Sequence, residues 1–284
     1  MKILTLNTHS LIEDHYTEKL THFIHGIENI QPDIIALQEV NQSACAPPAD
    51  GELLSGFLPC PENEIPLRRD NHAAQAARLL HQAGIPCQWT WIPAKLGYGI
   101  YDEGMALFSL GPAITETASF YISGCRDYQN WKTRRVLGMR TAQNHWFYTV
   151  HMGWWQDEEE PFLPQWKTLD HVLKQSCSDS TVWLLGDFNS PAEVRGQGYD
   201  QIQGSGWQDT FLLAKEKDNG ITVRGVIDGW REFLDNPSQL SGMRIDHIWC
   251  SRNVPVLRSR TIFNGITEPV VSDHFGILIE TEDN

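Results

Sequence analysis

The run Thr181-Val182-Trp183-Leu184-Leu185-Gly186 ends in Asp187-Phe188-Asn189, an acid and an amide two positions apart. A short apolar run closed by a glycine reads as a buried strand, and α/β proteins place chemistry where such strands end. The same grammar recurs. Ile34-Ile35-Ala36-Leu37 leads to Gln38-Glu39, Tyr148-Thr149-Val150 leads to His151, and Met243 to Trp249 carries Asp246. Ser272-Asp273-His274 stands directly before the apolar run Phe275 to Ile279. Ionisable groups at several strand ends are costly unless they converge on a common task.

Taken singly, each has a simpler reading. Gly-Asp-x-Asn makes an ordinary turn, Asn7 can close one, and Asp273 can cap one. Glu39 and Asp246 can be satisfied by backbone amides, and His151 can be a packed imidazole. Their joint occurrence is the argument for a site.

The elements that must position these residues follow from hydrophobic period. Strands are expected at about 2–8, 33–38, 87–92, 103–109, 113–121, 134–142, 145–151, 181–186, 243–250, 256–263 and 274–280. Leu20, Phe23, Ile24, Ile27 and Ile30 follow a helical stripe that stops before Pro32, and Phe162, Trp166, Leu169 and Leu173 form another after Pro161. A third helix is expected from about His72 to Ala83, capped by Asp70 or Asn71 and followed by Gly84. Short turns such as Ala142-Gln143-Asn144 imply antiparallel neighbours, while helical connections imply others, so the expected class is mixed α/β. Residues 41–71, with five prolines, read as a functional loop near the site rather than filler.

With 284 residues and no linker, repeat or low-complexity tract, the chain is expected to form one domain over 1–284. The N-terminus alternates like a strand, and no apolar stretch nears the roughly 20 residues needed to span a bilayer, so a cytosolic protein without membrane contact is expected. Six cysteines lack the close spacings of zinc or redox motifs. The balance of 36 acidic against 22 basic side chains, a net charge of -14, repels a polyanion and disfavours nucleic acid as the partner.

Leu6-Asn7, Leu37-Gln38-Glu39, Val150-His151, Gly186-Asp187-Phe188-Asn189, Arg244-Ile245-Asp246 and Ser272-Asp273-His274 occur in that order over nearly the whole chain. The series resembles the endonuclease/exonuclease/phosphatase superfamily, which contains pancreatic deoxyribonuclease, bacterial sphingomyelinases and inositol phosphatases. The resemblance implies a four-layered α/β sandwich, two packed mixed sheets flanked by helices, and divalent-metal-dependent hydrolysis of phosphate esters.

Attack of water on an anionic ester requires charge neutralisation, an activated water and help for the departing oxygen. Glu39 suits a Mg²⁺ ligand, with Mn²⁺ an alternative, and Asn7 assists as ligand or through a water. By the family pattern Asp187 orients and deprotonates the attacking water, Asn189 bonds the phosphoryl oxygen or that water, and His274 contacts the phosphate. Asp246 would hold the His274 ring and favour its protonated form. Asp273 fits a second metal contact, and His151 fits transition-state stabilisation or protonation of the leaving group.

Nuclease members add basic residues that are not evident here, and a sphingomyelinase would be exported, which leaves small phosphorylated metabolites. Trp154, Trp155, Trp230 and Arg134 are the candidate substrate-binding residues, because flat aromatic faces suit sugar rings and a guanidinium suits phosphate. Trp131 stands in a likely loop, and Tyr98, Tyr101, Asp102 and Glu103 could line the same rim or form a hairpin, whereas Trp166 and Trp183 are expected in the inter-sheet core. Thr5 to Ser10, Glu39 to Gln42, His151 to Trp155 and Gly225 to Arg231 together resemble a Gram-positive branch of the family that includes maltose 6'-phosphate phosphatase. A Mg²⁺-dependent sugar-phosphate phosphatase is therefore expected; the alternatives are a nuclease of the same fold and a non-catalytic member that binds phosphorylated ligands.

Overall fold

The computed structural model of the protein describes residues 1–61, 63–226 and 241–282. Strands β10 (Glu216–Lys217), β14 (Val256–Ile262), β15 (Gly276–Thr281), β1 (Lys2–Asn7), β2 (Ile34–Ser43), β4 (Tyr101–Ser109) and β3 (Gln88–Gly97) form one sheet in that order. Strands β5 (Ile114–Tyr121), β6 (Arg135–Thr141), β7 (His145–His151), β8 (Thr181–Asp187), β13 (Asp246–Cys250) and β9 (Gln208–Asp209) form the other. A small ribbon pairs β11 (Val223–Arg224) with β12 (Gly242–Met243). Both large sheets are mixed: β1 runs parallel to β2 and β7 parallel to β8, while β8 and β13 are antiparallel.

Strand periodicity explains how the sheets pack. Successive side chains leave a strand on opposite faces, so Ile3, Ile34, Ala36, Leu107, Phe147, Trp183, Leu185, Ile248, Ile277 and Ile279 share one buried inter-sheet core. Their chain neighbours face outward. Leu4, Leu6, Ile35 and Leu37 meet helices α1 (Tyr16–Ile30) and α2 (His72–Gln82) through Phe23, Ile27 and Leu80. Tyr148, Val182, Leu184 and Trp249 meet α3 (Phe162–Ser176) and α4 (Gly198–Gly204). A short helix α5 (Thr210–Leu213) precedes β10. The result is the expected four-layered sandwich.

Helix ends follow their chemistry. Asn71 caps α2 by accepting from Ala74 N at 3.0 Å, while Asp70 instead accepts from Ser43 N. Three expectations are corrected. Strand β3 continues past residue 92 through Pro93 and a bulge to Gly97. It is an edge strand, so the missing proline N–H removes no required ladder bond. The expected strand 243–250 is divided, Gly242–Met243 pairing with β11 and Asp246–Cys250 with β8. Trp183 does fill the inter-sheet core, but Trp166 lies between α3 and the outer face of the second sheet.

Candidate functional site

The inter-sheet faces of β1, β7, β8 and β13 change from apolar to polar at one end. On β1 the inward series Ile3, Thr5 ends at Asn7; on β7, Phe147, Thr149 ends at His151; on β8, Trp183, Leu185 ends at Asp187. Asp246, opposite Asp187 in the β8–β13 register, is the inward residue that opens β13. Glu39 reaches the same place by a different device: β2 is bulged between Leu37 and Val40, and Glu39 sits at φ 52°. An extra residue in one strand re-aims the side chain that follows the regular inward position of Gln38. Gln38 then donates to Thr5 and Thr149, joining the two sheets beneath the site.

Asn7 Nδ2 donates to Glu39 Oε1 at 2.9 Å and to Asp187 Oδ2 at 3.2 Å. Asp187 Oδ1 accepts from Asn189 N at 2.8 Å, which fixes the carboxylate against its own turn. His151 Nε2 lies 3.7 Å and His274 Nε2 3.9 Å from Asp187 Oδ2. His274 Nδ1 bonds Asp246 Oδ2 at 2.9 Å. Thr222 secures this pair: its hydroxyl accepts from Ile245 N and Asp246 N, and its carbonyl accepts from Phe275 N.

The charges perturb one another. Burial first, then the neighbouring Asp246 charge, pushes the Asp187 carboxyl up to about 7, with His274 and the Asn189 N–H opposing. Burial and the Glu103 charge raise Glu39, while the Asn7 hydrogen bond and His274 pull it down. Burial alone would lower His274, but Asp246, as charge and as hydrogen-bond partner, carries it well above the ordinary imidazole range. His151 goes the other way: burial and the cations Arg134 and Lys95 hold it well below that range.

These groups open into a cavity of about 720 Å³. Glu39, Asp187, Asn189, His151 and His274 line its catalytic side, with Lys95, Glu103 and Arg134 beside them. Tyr98, Trp131 and Trp154 form an exposed aromatic rim. Arg134 is 7% exposed, and its Nε has no hydrogen-bond partner among the described residues. Lys95 Nζ pairs with Glu103 at 3.0 Å.

Several expected site residues lie elsewhere. Trp155 turns from the cavity and packs on Phe162, with ring centroids 6.1 Å apart. Asp273 is exposed and clusters with His9 and Glu13, although its charge still reaches Glu39. Tyr101 is not on the cavity wall, and Asp102 is buried against Gln42 and Tyr128. Trp230 lies outside the described residues. No described residue of 41–71 lines the cavity; Leu53, Phe57 and Ile65 instead pack against the helix-side core, and Leu58 N bonds Trp89 O, covering the β3 edge. Lys95 and Gln129 were not expected in the site. A lysine inside the otherwise apolar run of β3 was the available signal.

The crowding of acids also bears on a metal. Glu39 and Asp187 carry carboxyls raised first by burial and then by neighbouring acids, and Asp246 Oδ1 is buried without a partner among the described residues. Excess buried negative charge and an unused lone pair suit a hard cation held by oxygen. Ligand atoms of Asp187, Asp246 and His274 lie within 4.8 Å of one another. His274 is engaged with Asp246, however, so Glu39 and Asn7 are the better oxygen donors. Among the described residues Asn7 Oδ1 accepts only a 3.3 Å bond from His9 N.

Two packed mixed sheets with this acid, amide and imidazole constellation at one end define a phosphoesterase. The chain belongs to the Endonuclease/Exonuclease/phosphatase family, whose sequence signature matches residues 4–274. Its structure is similar to an endonuclease/exonuclease/phosphatase family protein from Leptotrichia buccalis, with TM-score 0.84 and 29% identity over 100% of both chains. The fold is shared with a mannosyl-6-phosphatase from Bacteroides thetaiotaomicron, TM-score 0.62 and 15% identity over 100% of both chains. It is shared too with a 3' phosphatase from Neisseria bound to a product DNA hairpin, TM-score 0.60 and 18% identity over 100% of both chains. No curated protein sequence matches the chain.

Proposed function

We propose that the protein is a divalent-metal-dependent phosphomonoesterase that hydrolyses a small phosphorylated sugar to free sugar and inorganic phosphate. The observation that carries this reading is the buried Arg134 guanidinium, its Nε without a partner among the described residues, in one cavity with Asp187 and His274 and beneath an aromatic rim. A terminal phosphate carries more charge than a diester, and Arg134 supplies positive charge for it at the floor, beside Lys95, whose own charge is shared with Glu103. Trp131, Trp154 and Tyr98 supply flat faces for a sugar ring.

In this reading Glu39 and Asn7 hold Mg²⁺, or Mn²⁺ in its place. The ion, when bound, supplies electrostatic stabilisation of the phosphoryl charge. Asp187 takes a proton from the attacking water, and an elevated carboxyl suits a base working near neutral pH. Asn189 bonds a phosphoryl oxygen or that water, and protonated His274, held by Asp246, contacts the phosphate. His151 donates a hydrogen bond to developing charge on the departing oxygen, which takes its proton from water to give the free sugar. The net charge of -14 opposes a polyanionic substrate, and the reading places the reaction in the cytosol.

Phosphate release with Mg²⁺ tests the proposal on a panel including maltose 6'-phosphate, mannose 6-phosphate, nucleotides, 3'-phosphorylated DNA and phosphodiesters. Phosphosugars should be the best substrates. Turnover of DNA with phosphosugars left intact would replace this reading with a nuclease or DNA phosphatase.

A further inference from the structure

The side-chain carboxamide of Asn189 is held at both ends by one loop. Its Nδ2 donates to Met152 O at 2.9 Å, and its Oδ1 accepts from Trp154 Nε1 at 3.0 Å. A carboxamide turned by 180° keeps its shape and exchanges its donor for its acceptor, so its hydrogen-bond partners decide which end meets a ligand. Here the indole N–H, which can only donate, requires the oxygen on its side.

The loop bearing both partners is itself anchored. Met152 N donates to Asp187 O at 2.9 Å, and Phe162 N donates to Trp154 O at 3.0 Å. Gly153 N donates to Gln165 Oε1 at 2.8 Å, and Gln165 Nε2 donates to Glu160 O at 2.8 Å, tying the loop to α3. Trp154 nonetheless remains 50% exposed and lines the cavity. One side chain therefore presents a face to the substrate chamber and an N–H to Asn189.

We propose that Trp154 is a positioning residue for Asn189: its indole N–H locks the carboxamide so that Nδ2, with one proton on Met152 O, offers its second proton to the phosphoryl group. A ring stacked on the indole would steady that same contact, so occupation of the sugar side of the cavity and organisation of the amide are linked through one residue. The inference rests on the reading of Asn189 as a contact to the phosphoryl oxygen or the attacking water, and is independent of which sugar is bound.

The test is a double-mutant cycle with Trp154→Phe, which keeps an aromatic face and removes the N–H, and Asn189→Ala. Turnover of the best phosphosugar and of p-nitrophenyl phosphate is measured with Mg²⁺. Trp154→Phe should lower kcat about tenfold with little change in KM, and should have no further effect on kcat once Asn189 is alanine. The Asn189 side-chain NH₂ resonances, assigned by their loss in Asn189→Ala, should shift in Trp154→Phe. An equal loss of kcat in both backgrounds, or unmoved NH₂ resonances, overturns the proposal. If the wild-type protein cleaves no ester, the functional reading fails, and the resonances still decide the role of Trp154.

Discussion

Asp246 Oδ2 and His274 Nδ1 meet at 2.9 Å although the residues stand 28 positions apart. Asp246 opens β13 and His274 precedes β15, so the bond joins strands of opposite sheets. Thr222 clamps both ends through Ile245 N, Asp246 N and Phe275 N. The pair thus serves the sandwich and the site together, orienting the ring while raising its proton affinity.

Asp246→Asn is expected to leave the ring in place and remove the charge that keeps it protonated. Because Asp246 raises His274, its neutralisation lowers the imidazole back toward its ordinary range. The protonated form is then lost at lower pH, and the alkaline limb of the kcat/KM profile should move to lower pH, with turnover at neutral pH reduced about a hundredfold. A pH–rate profile checks this. An unshifted alkaline limb would remove His274 from the protonated role.

Asp187→Asn separates function from stability. Turnover should fall by roughly a thousandfold or more, since the residue is assigned as the base for water. In metal-free buffer the same change should raise the melting temperature. The sign follows from burial and Asp246 pushing the folded carboxyl up to about 7, above the unfolded value of 3.8. Its contribution is fully present below the unfolded value and is lost as pH rises through the folded one, so at pH 8 the folded state bears the cost of a buried charge. Thermal melts with a chelator at pH 5 and pH 8 should show the stabilisation at the higher pH. An inactive variant that is also destabilised at pH 8 would indicate a structural role for Asp187 instead.

The cationic floor makes a further prediction. Arg134→Ala should raise KM for a phosphomonoester roughly tenfold to a hundredfold, with a smaller effect on kcat. Arg134→Lys should restore little, since a point charge does not reproduce the planar fork of donors. Lys95→Met should lose stability as well as affinity, because it leaves Glu103, its 3.0 Å partner, buried without a counter-charge. Steady-state kinetics with the best phosphosugar, alongside thermal melts, distinguish the two effects.

The parts of the site that could be read from the sequence are those written at strand ends. Asn7, Asp187 and Asp246 continue the inward alternation of their strands, so period alone places them together once the sheets pack. Glu39 was legible as an acid closing an apolar run, but not the bulge that aims it. The adjacent pairs were not legible, because both lie past the ends of strands where alternation does not apply: Asp273 turns outward beside inward His274, and Trp155 turns onto Phe162 beside Trp154 on the cavity. Lys95 was not legible because its meaning depends on pairing. Only the β3–β4 register, which sets Lys95 opposite Glu103, turns a strand lysine into part of the cavity floor. The segment 41–71 was misplaced because proline content reports an irregular path and not what that path covers.

The helix side of the protein should limit its tolerance of acid. His72, in the first turn of α2, is 5% exposed, with Nδ1 3.2 Å from the Tyr16 hydroxyl and Nε2 buried without a partner among the described residues. Burial lowers its imidazole to about 4 in the folded state, and burial with the nearby Arg244 lowers His247 to about 3. The unfolded chain takes up these protons near 6.5, so stability is fully present above that pH and declines as pH falls toward the folded values. For His72 alone the loss approaches about 3 kcal/mol by pH 4. His72→Gln, which cannot take up a proton, should flatten the decline between pH 6.5 and 4 even if it lowers stability at pH 8. Urea unfolding midpoints for wild type and variant across this range measure the difference. Parallel curves would show that His72 does not drive the acid sensitivity and would turn attention to His247, whose Nε2 bonds Ser190 O at 2.9 Å beneath the turn that carries Asp187 and Asn189.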